Sequence, residues 1–308
     1  MTSRLLNRWV SNPKSARLGF WGLLMFSVLI NSITLQADNQ VFILYIFTVI
    51  FLGIGYSDKP KRVLFILTAL VVTCRYFLIP DGGSGLLAYL LHFLTYYLIT
   101  LISAGLIRYA QRVREDNLEL TTALSNALDS RDPYTLNHSM NVAKYALLIA
   151  EQMELSKEEC DIIRQGALLH DIGKIGVPEQ ILLKKGRLTD EEYEIIQSHP
   201  TIGYDMIKHV GEFSQNGVLD IVLHHHERFD GKGYPKRLKG HEIPLFARIV
   251  AVADTYDAMT SKRVYRDALD QNTALNEIRK GKGTQFDPEI ADVFDEVIRS
   301  AGHRKSNA

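Results

Sequence analysis

Apolar and polar positions divide the chain into two halves with different periods. Over residues 1–107, long apolar stretches alternate with short polar breaks; the stretches are 18–35, 41–56, 63–79 and 86–107. A bilayer core needs roughly 20 residues of helix, within a range of about 17–25. The first and fourth stretches meet that length and the middle two are slightly short. Four such segments in succession need a common apolar solvent, and lipid supplies it. From about Ala123 onward the pattern changes to the period of amphipathic helix. Val142, Ala143, Ala146, Leu147 and Ala150 fall on one face of a helix over 137–153. Ser156 followed by Glu159 is a capping box, which opens a helix running to His170. Thr189-Asp190-Glu191-Glu192 opens another, ending near His199-Pro200, and 217–226 and 244–260 are two more. Strand-like alternation is scarce and no hairpin signal occurs. The predicted fold class is all-α: a four-helix transmembrane region followed by a helical bundle.

Charge refines the first half. The chain balances 35 Lys/Arg against 35 Asp/Glu, yet residues 1–107 hold 8 basic and 3 acidic side chains and the remainder 27 and 32. The basic residues of the first half gather in alternate loops: Arg4, Arg8, Lys14 and Arg17, then Lys59, Lys61 and Arg62. Arg108, Arg112 and Arg114 follow the fourth span. The loops around Asp38 and Asp81 are not basic. The positive-inside rule then puts both termini in the cytoplasm of a multi-pass membrane protein, with lipid as a partner. A cleaved signal peptide fits poorly, because the polar leader is long and three more spans follow. Arg75, near the outer end of its helix, is expected to snorkel to the interface. His92 lies inside the fourth span, where an ionisable group is either functional or hydrogen-bonded to a neighbouring helix. Cys74 and Cys160 sit in unlike surroundings and fit a reducing compartment. The acidic second half lacks the basic stripe that DNA binding needs, so no DNA partner is expected.

Between the halves, residues 108–130 read as a connecting helix. Val113, Leu120 and Ala127 repeat every seven residues, with Leu124 between them. This face could pair with its copy in a homodimer or pack on the domain that follows. The expected organisation is 1–107 transmembrane, 108–123 connecting helix, 124–300 a helical domain and 301–308 a tail.

The candidate chemistry lies in the second half: His138, His170-Asp171, His199, His224-His225-His226 and Asp254. Imidazoles and carboxylates are ligands for divalent metals. They fall in or at the ends of five predicted helices, so they converge only if those helices surround one centre. Burying so many polar groups without a metal or hydrogen-bond partners costs several kcal/mol, on the order of 2–7 for each unpaired group. This many ligands suggests more than one ion, and two metals between helices make a hydrolytic site for phosphate esters.

Six strings now form a pattern: RDPYTLNHS from Arg131, LLHDIGKIGVPEQIL from Leu168 and KKGRLTDEEYEIIQSHPTIG from Lys184. They continue as HHHERFDGKGYP from His224, IPLFARIVAVADTYDAMTSKRVYR from Ile243 and GTQFDP from Gly283. Over roughly residues 124–300 the chain resembles the HD-GYP family of metal-dependent phosphodiesterases, a branch of the HD superfamily, and the bundle is then expected to be HD-type. The resemblance implies that His138, His170, Asp171 and Asp254 hold one metal. His199, His225 and His226 would add a second, with Asp171 bridging and His224 outside the ligand set. Lys174 would contact the scissile phosphate or protonate the leaving oxygen. Gly233-Tyr234-Pro235 is the signature loop, and Arg263 and Arg266 match positions that grip substrate phosphates. Family members with three metals use a glutamate where this chain has Tyr134, which favours two. The mixed His/Asp set suits iron or manganese. The implied substrate is cyclic di-GMP, linearised to pGpG and in some members cut to GMP by a metal-activated hydroxide. The alternatives are a signalling protein that binds a nucleotide or partner without turnover, and a phosphohydrolase of another nucleotide.

Overall fold

The structure is a computed structural model and describes residues 13–33, 41–79, 85–131, 137–184, 186–261 and 268–306. The chain forms two compact units, Met1–Asp116 and Asn117–Ala308.

Each apolar stretch of the first unit forms a helix: α1 (Pro13–Ile33), α2 (Ile43–Gly55), α3 (Lys61–Leu78) and α4 (Leu86–Asp129). Of the four predicted spans, α1 and α4 are long and apolar enough to cross a membrane. Helix α2 has 13 residues. Helix α3 has 18, with Lys61, Arg62 and Arg75 among them. Helix α4 is unbroken for 44 residues, about 66 Å at 1.5 Å per residue, so the fourth apolar stretch and the connecting segment are one helix.

The first unit encloses an apolar cluster that includes Phe20, Leu24, Tyr45, Val49, Leu52, Val71 and Val72, admits polar groups beside it, and is apolar on its outside as well. Ser27, Asn31, Thr48, Thr68 and Thr100 are fully buried, while Leu18, Met25, Phe77, Leu87 and Leu94 are each more than 60 % exposed. Thr68 and Thr100 meet hydroxyl to hydroxyl at 3.2 Å. Arg75 does not snorkel. It is 6 % exposed, because it shares the packed face of α3 with Leu64, Thr68, Val71 and Val72. His92 donates its Nδ1–H to the Ala88 carbonyl one turn earlier at 2.8 Å.

The second unit contains α5 (His138–Gln152), α6 (Lys157–Leu169), a 3-10 turn (Ile172–Gly176), α7 (Glu179–Leu182) and α8 (Asp190–Gln197). It continues through α9 (His199–Ile207), α10 (Phe213–Asn216), α11 (Val218–His224), α12 (Leu245–Thr260), α13 (Gln271–Lys280) and α14 (Pro288–Ser306). Among the described residues there is no strand, only an isolated bridge between Lys282 and Phe286, so the unit is all-α as expected. Both predicted N-termini are present. Ser156 Oγ accepts from Glu159 N at the start of α6, and Thr189 Oγ1 accepts from Glu192 N at the start of α8. The core joins Val142, Ala146 and Ile149 of α5 to Ile163 and Ala167 of α6, Ile249 and Val252 of α12, Leu275 of α13 and Phe294 of α14. Burying side chains of this size contributes about 1.5–3 kcal/mol each. The last turns of α4 join this core through Leu118, and Thr121, Ser125, Leu128 and Asp129 are buried beside it. The opposite face stays open: Val113, Leu120 and Leu124 are 38, 64 and 56 % exposed.

One boundary differs from expectation. His199-Pro200 opens α9 rather than closing the helix before it. A proline at the first positions of a helix lacks only an N–H that would have no intrahelical partner anyway. The chain turns at Ser198, and that turn delivers His199 to the interior.

Candidate metal centre

Four imidazoles reach the interior of the second unit from different elements, and each has its Nδ1 tied. His170, the cap of α6, has Nδ1 2.6 Å from the Ala167 carbonyl. His199, opening α9, has Nδ1 2.7 Å from the Ile196 carbonyl. His225, the residue after α11, has Nδ1 3.0 Å from the Val222 carbonyl. A carbonyl only accepts, so in these three rings Nδ1 carries the proton and the lone pair of the neutral ring is on Nε2. His138, the first residue of α5, uses a carboxylate instead: its Nδ1 is 2.7 Å from Asp257 Oδ2. Orientation of this kind by an outer carbonyl or carboxylate is the usual support of a metal-binding histidine.

The Nε2 atoms converge on Asp171, which follows the cap of α6 and opens the 3-10 turn. Its two oxygens face opposite ways. Oδ1 is 3.2 Å from His199 Nε2, while Oδ2 is 3.3 Å from His170 Nε2 and 3.8 Å from His138 Nε2. Asp254, inside α12, brings Oδ1 to 3.3 Å from His138 Nε2 and 4.0 Å from His170 Nε2. Two groups result, Asp171 with His199, His225 and His226, and His138 with His170 and Asp171. Within each, one ligand atom per residue lies within 4.8 Å of the others. Asp171 belongs to both.

The donor set fits divalent cations. His170 Nε2 and Asp171 Oδ1 are buried without a hydrogen-bond partner. His199 Nε2 and His225 Nε2 face each other at 3.3 Å, an approach of two lone pairs that a cation between them would make attractive. Titration agrees with this picture. Burial holds His225 well below its ordinary value, and holds His226 down at about 3, so both rings are neutral and ready to ligate. Burial also acts to lower His138, but hydrogen bonds to Asp254 and Asp257 outweigh it and raise the ring to about 9. Burial opposes ionisation of Asp171, yet the Lys174 ammonium and the His170 ring hold its carboxyl well below the usual range. Asp254 is held low against burial by its hydrogen bond to His138 and the charge of His170.

Lys174, in the 3-10 turn, brings Nζ to 2.5 Å from Asp171 Oδ2 and is one-quarter exposed, at the mouth of the centre. Tyr234 stacks on His226, with ring centroids 4.8 Å apart and planes 29° apart. Gly233 permits the loop to lie there. A Cβ at this residue would fall 2.3 Å from Arg228 N and 2.5 Å from the His226 carbonyl oxygen. His224 points elsewhere, its Nδ1 3.7 Å from Glu227 Oε1. Arg263, Arg266 and Tyr134 lie outside the described residues.

Three contributors went unread in the sequence. Asp257 sits one turn after Asp254 on α12, and the i, i+3 pairing of aspartates is the signal that could have found it. Glu227 is buried and accepts from Lys236 N at 2.6 Å and Leu238 N at 3.1 Å, which pins the loop carrying Tyr234. Gly173 brings the 3-10 turn against α9, where a Cβ would fall 1.9 Å from the His199 carbonyl oxygen.

Comparison with known proteins places the same region in a family. The HD domain model matches residues 122–290, more than half of the chain. The cyclic di-GMP phosphodiesterase response regulator RpfG of Xanthomonas campestris is 44 % identical over 183 residues, covering 59 % of this chain and 48 % of the relative. A cyclic di-GMP phosphodiesterase of Thermotoga maritima is 42 % identical over 177 residues, 58 % of this chain and 47 % of the relative. The 3'3'-cGAMP-specific phosphodiesterase 2 of Vibrio cholerae is 35 % identical over 190 residues, 60 % of this chain and 36 % of the relative. The chain thus spans half or less of the length of these relatives. The matched residues run from the last turn of α4 into α14 and take in every histidine and aspartate of the centre, so the chain belongs to the HD domain family.

Proposed function

We propose that this chain is a membrane-anchored HD-GYP phosphodiesterase that linearises cyclic di-GMP to pGpG, with further cleavage to GMP as a second product. The observation that carries the reading is the split of the Asp171 carboxylate, one oxygen toward each ligand group. It is supported by the relatives at 44 and 42 % identity, which are cyclic di-GMP phosphodiesterases.

His138, His170, Asp171 and Asp254 would hold one divalent ion, and His199, His225 and His226 with Asp171 a second, iron or manganese by donor type. Bound there, the pair supplies the positive charge and Lewis acidity that displacement at a phosphodiester requires. The chain's own residues do the rest. The tied Nδ1 atoms hold the ligand rings without reorganisation. Lys174, exposed at the mouth, offsets negative charge that develops on the leaving oxygen. Tyr234, stacked on His226, offers a ring face to a guanine, and Gly233 keeps that ring in place. Arg263 and Arg266 would take the substrate phosphates.

Membrane anchorage through four spans, with both termini in the cytoplasm, is supported by the apolar outer surface of the first unit. In water its exposed leucines and phenylalanines would cost what lipid removes. Arg17 at the start of α1 bonds the Gly55 carbonyl at 2.8 Å and Asp58 at 2.7 Å, so two loops assigned to the cytoplasm meet at one end. The open face of Val113, Leu120 and Leu124 on α4 supports a homodimer through the connecting helix.

The test uses the full chain in detergent, loaded with Mn(II) or Fe(II). Cyclic di-GMP should be linearised, and the His170→Ala, Asp171→Ala double variant should be inactive. Because relatives include cGAMP-specific enzymes, 3'3'-cGAMP runs in parallel. A wild type that binds cyclic di-GMP without product under either metal overturns the reading in favour of a signalling protein, and turnover of another nucleotide alone overturns the substrate.

A further inference from the structure

The end of α4 and the residue two beyond it brace the surroundings of the centre at two points that no role above explains. Asp129, the final residue of α4, is 3 % exposed. It accepts from Ser139 twice, Oδ2 from the backbone N–H at 3.1 Å and Oδ1 from the hydroxyl at 2.9 Å. Ser139 is the neighbour of His138, and both stand in the first turn of α5, where the orphan N–H groups of a helix need acceptors. Asp129 therefore fixes the end of the helix that presents His138. Two residues on, Arg131 donates from Nη1 to the Lys174 carbonyl at 3.0 Å and the Ile175 carbonyl at 3.2 Å. It holds the 3-10 turn that follows Asp171 and carries Lys174.

We infer that Asp129 and Arg131 are positioning residues, through which the end of α4 sets the placement of His138 and of Lys174 respectively. Neither touches a ligand atom or the substrate. Asp129 acts on metal binding through the first turn of α5. Arg131 acts on turnover through the backbone of Lys174. A displacement of that last turn reaches both together, which makes it the point at which the 44-residue helix can alter the chemistry. The inference rests on the phosphodiesterase reading.

The two roles separate in one experiment on the full chain, with Mn(II) affinity measured by chelator competition and turnover measured on cyclic di-GMP. Asp129→Ala should lower Mn(II) affinity about tenfold, the lower end of what loss of an outer partner costs. Asp129→Asn should restore most of it, because the amide oxygen still accepts from Ser139 N–H and its NH2 can donate to the hydroxyl. Arg131→Ala should leave Mn(II) affinity within twofold (roughly 0.4 kcal/mol by the affinity relation) and lower kcat about tenfold with little change in KM. Arg131→Lys should recover part of that loss. Wild-type affinity in Asp129→Ala together with wild-type kcat in Arg131→Ala overturns the inference. So does a parallel fall of affinity, kcat and melting temperature in both variants without recovery by Asn or Lys, which is the mark of general destabilisation. A wild type that binds no metal or forms no product defeats the phosphodiesterase reading itself, and this inference with it.

Discussion

Asp257 Oδ2 and His138 Nδ1 lie 2.7 Å apart, buried, and this pair decides which nitrogen of His138 faces the centre. With Nδ1 engaged, Nε2 is turned toward Asp254 and Asp171. Asp257→Ala should lower metal affinity or activity about 10–100-fold, as loss of an outer-shell partner does. Asp257→Asn should do no better if its amide turns an N–H toward Nδ1, since that favours the opposite tautomer. Metal titration of the two variants checks this, and wild-type affinity in both would remove Asp257 from the account.

Metal uptake should release a proton. In the metal-free protein His138 is raised to about 9 by the two aspartates, so below that pH its ring is protonated and the proton must leave before Nε2 can ligate. His225 and His226 are held low by burial and have none to give near neutrality, whereas His170, raised against burial by Asp171, adds to the release. Affinity should therefore rise with pH toward about 9, by roughly tenfold per unit for each displaced proton, and flatten above it. Calorimetry in buffers of different ionisation heat counts the proton directly; an uptake without release contradicts the assignment.

Gly173→Ala should damage the group around His199 more than that around His138. The added Cβ would meet His199 O at 1.9 Å and Gly203 N at 2.5 Å, both backbone atoms that cannot rotate away. Overpacking of this kind costs about 1–3 kcal/mol, and the relief available is to part the 3-10 turn from α9. The expected result is a lower melting temperature and loss of one of two bound metals, measured by elemental analysis.

Tyr234 separates ring from hydroxyl. Burial raises its phenol well above the ordinary range, so it stays neutral at any working pH. Its ring stacks on His226. Tyr234→Phe should keep KM within about twofold, whereas Tyr234→Ala should raise it about tenfold, the equivalent of one aromatic stack of roughly 1–1.5 kcal/mol. Equal KM values for Phe and Ala would show that the ring does not meet the substrate.

The sequence made some of this legible because the relevant signals are local. The capping boxes at Ser156 and Thr189 declare their helices within four residues, and the apolar face of α5 repeats at the helical period. The ligand histidines were found as residue types and ordered by resemblance. What escaped were relationships across the fold. Nothing local marks Asp129 as an acceptor for Ser139, Glu227 as the anchor of two later N–H groups, or Gly173 as the place where two backbones touch. Pro200 misled for a different reason: proline marks the end of one helix and the start of another with equal force, and only packing decides.

The apolar exterior of the first unit changes what would hold it together in the proposed bilayer. With Thr68 against Thr100 inside and leucines outside, separation of its helices within lipid would expose no apolar surface to water. Its cohesion there would rest on close packing and on hydrogen bonds that have no competitor in an apolar medium. A detergent that only mimics the acyl chains should leave the unit intact, while a small amphiphile with a free hydroxyl or amide should loosen it. The two units of one chain would then fail in opposite solvents, the second in whatever dissolves oil and the first in whatever can donate a hydrogen bond.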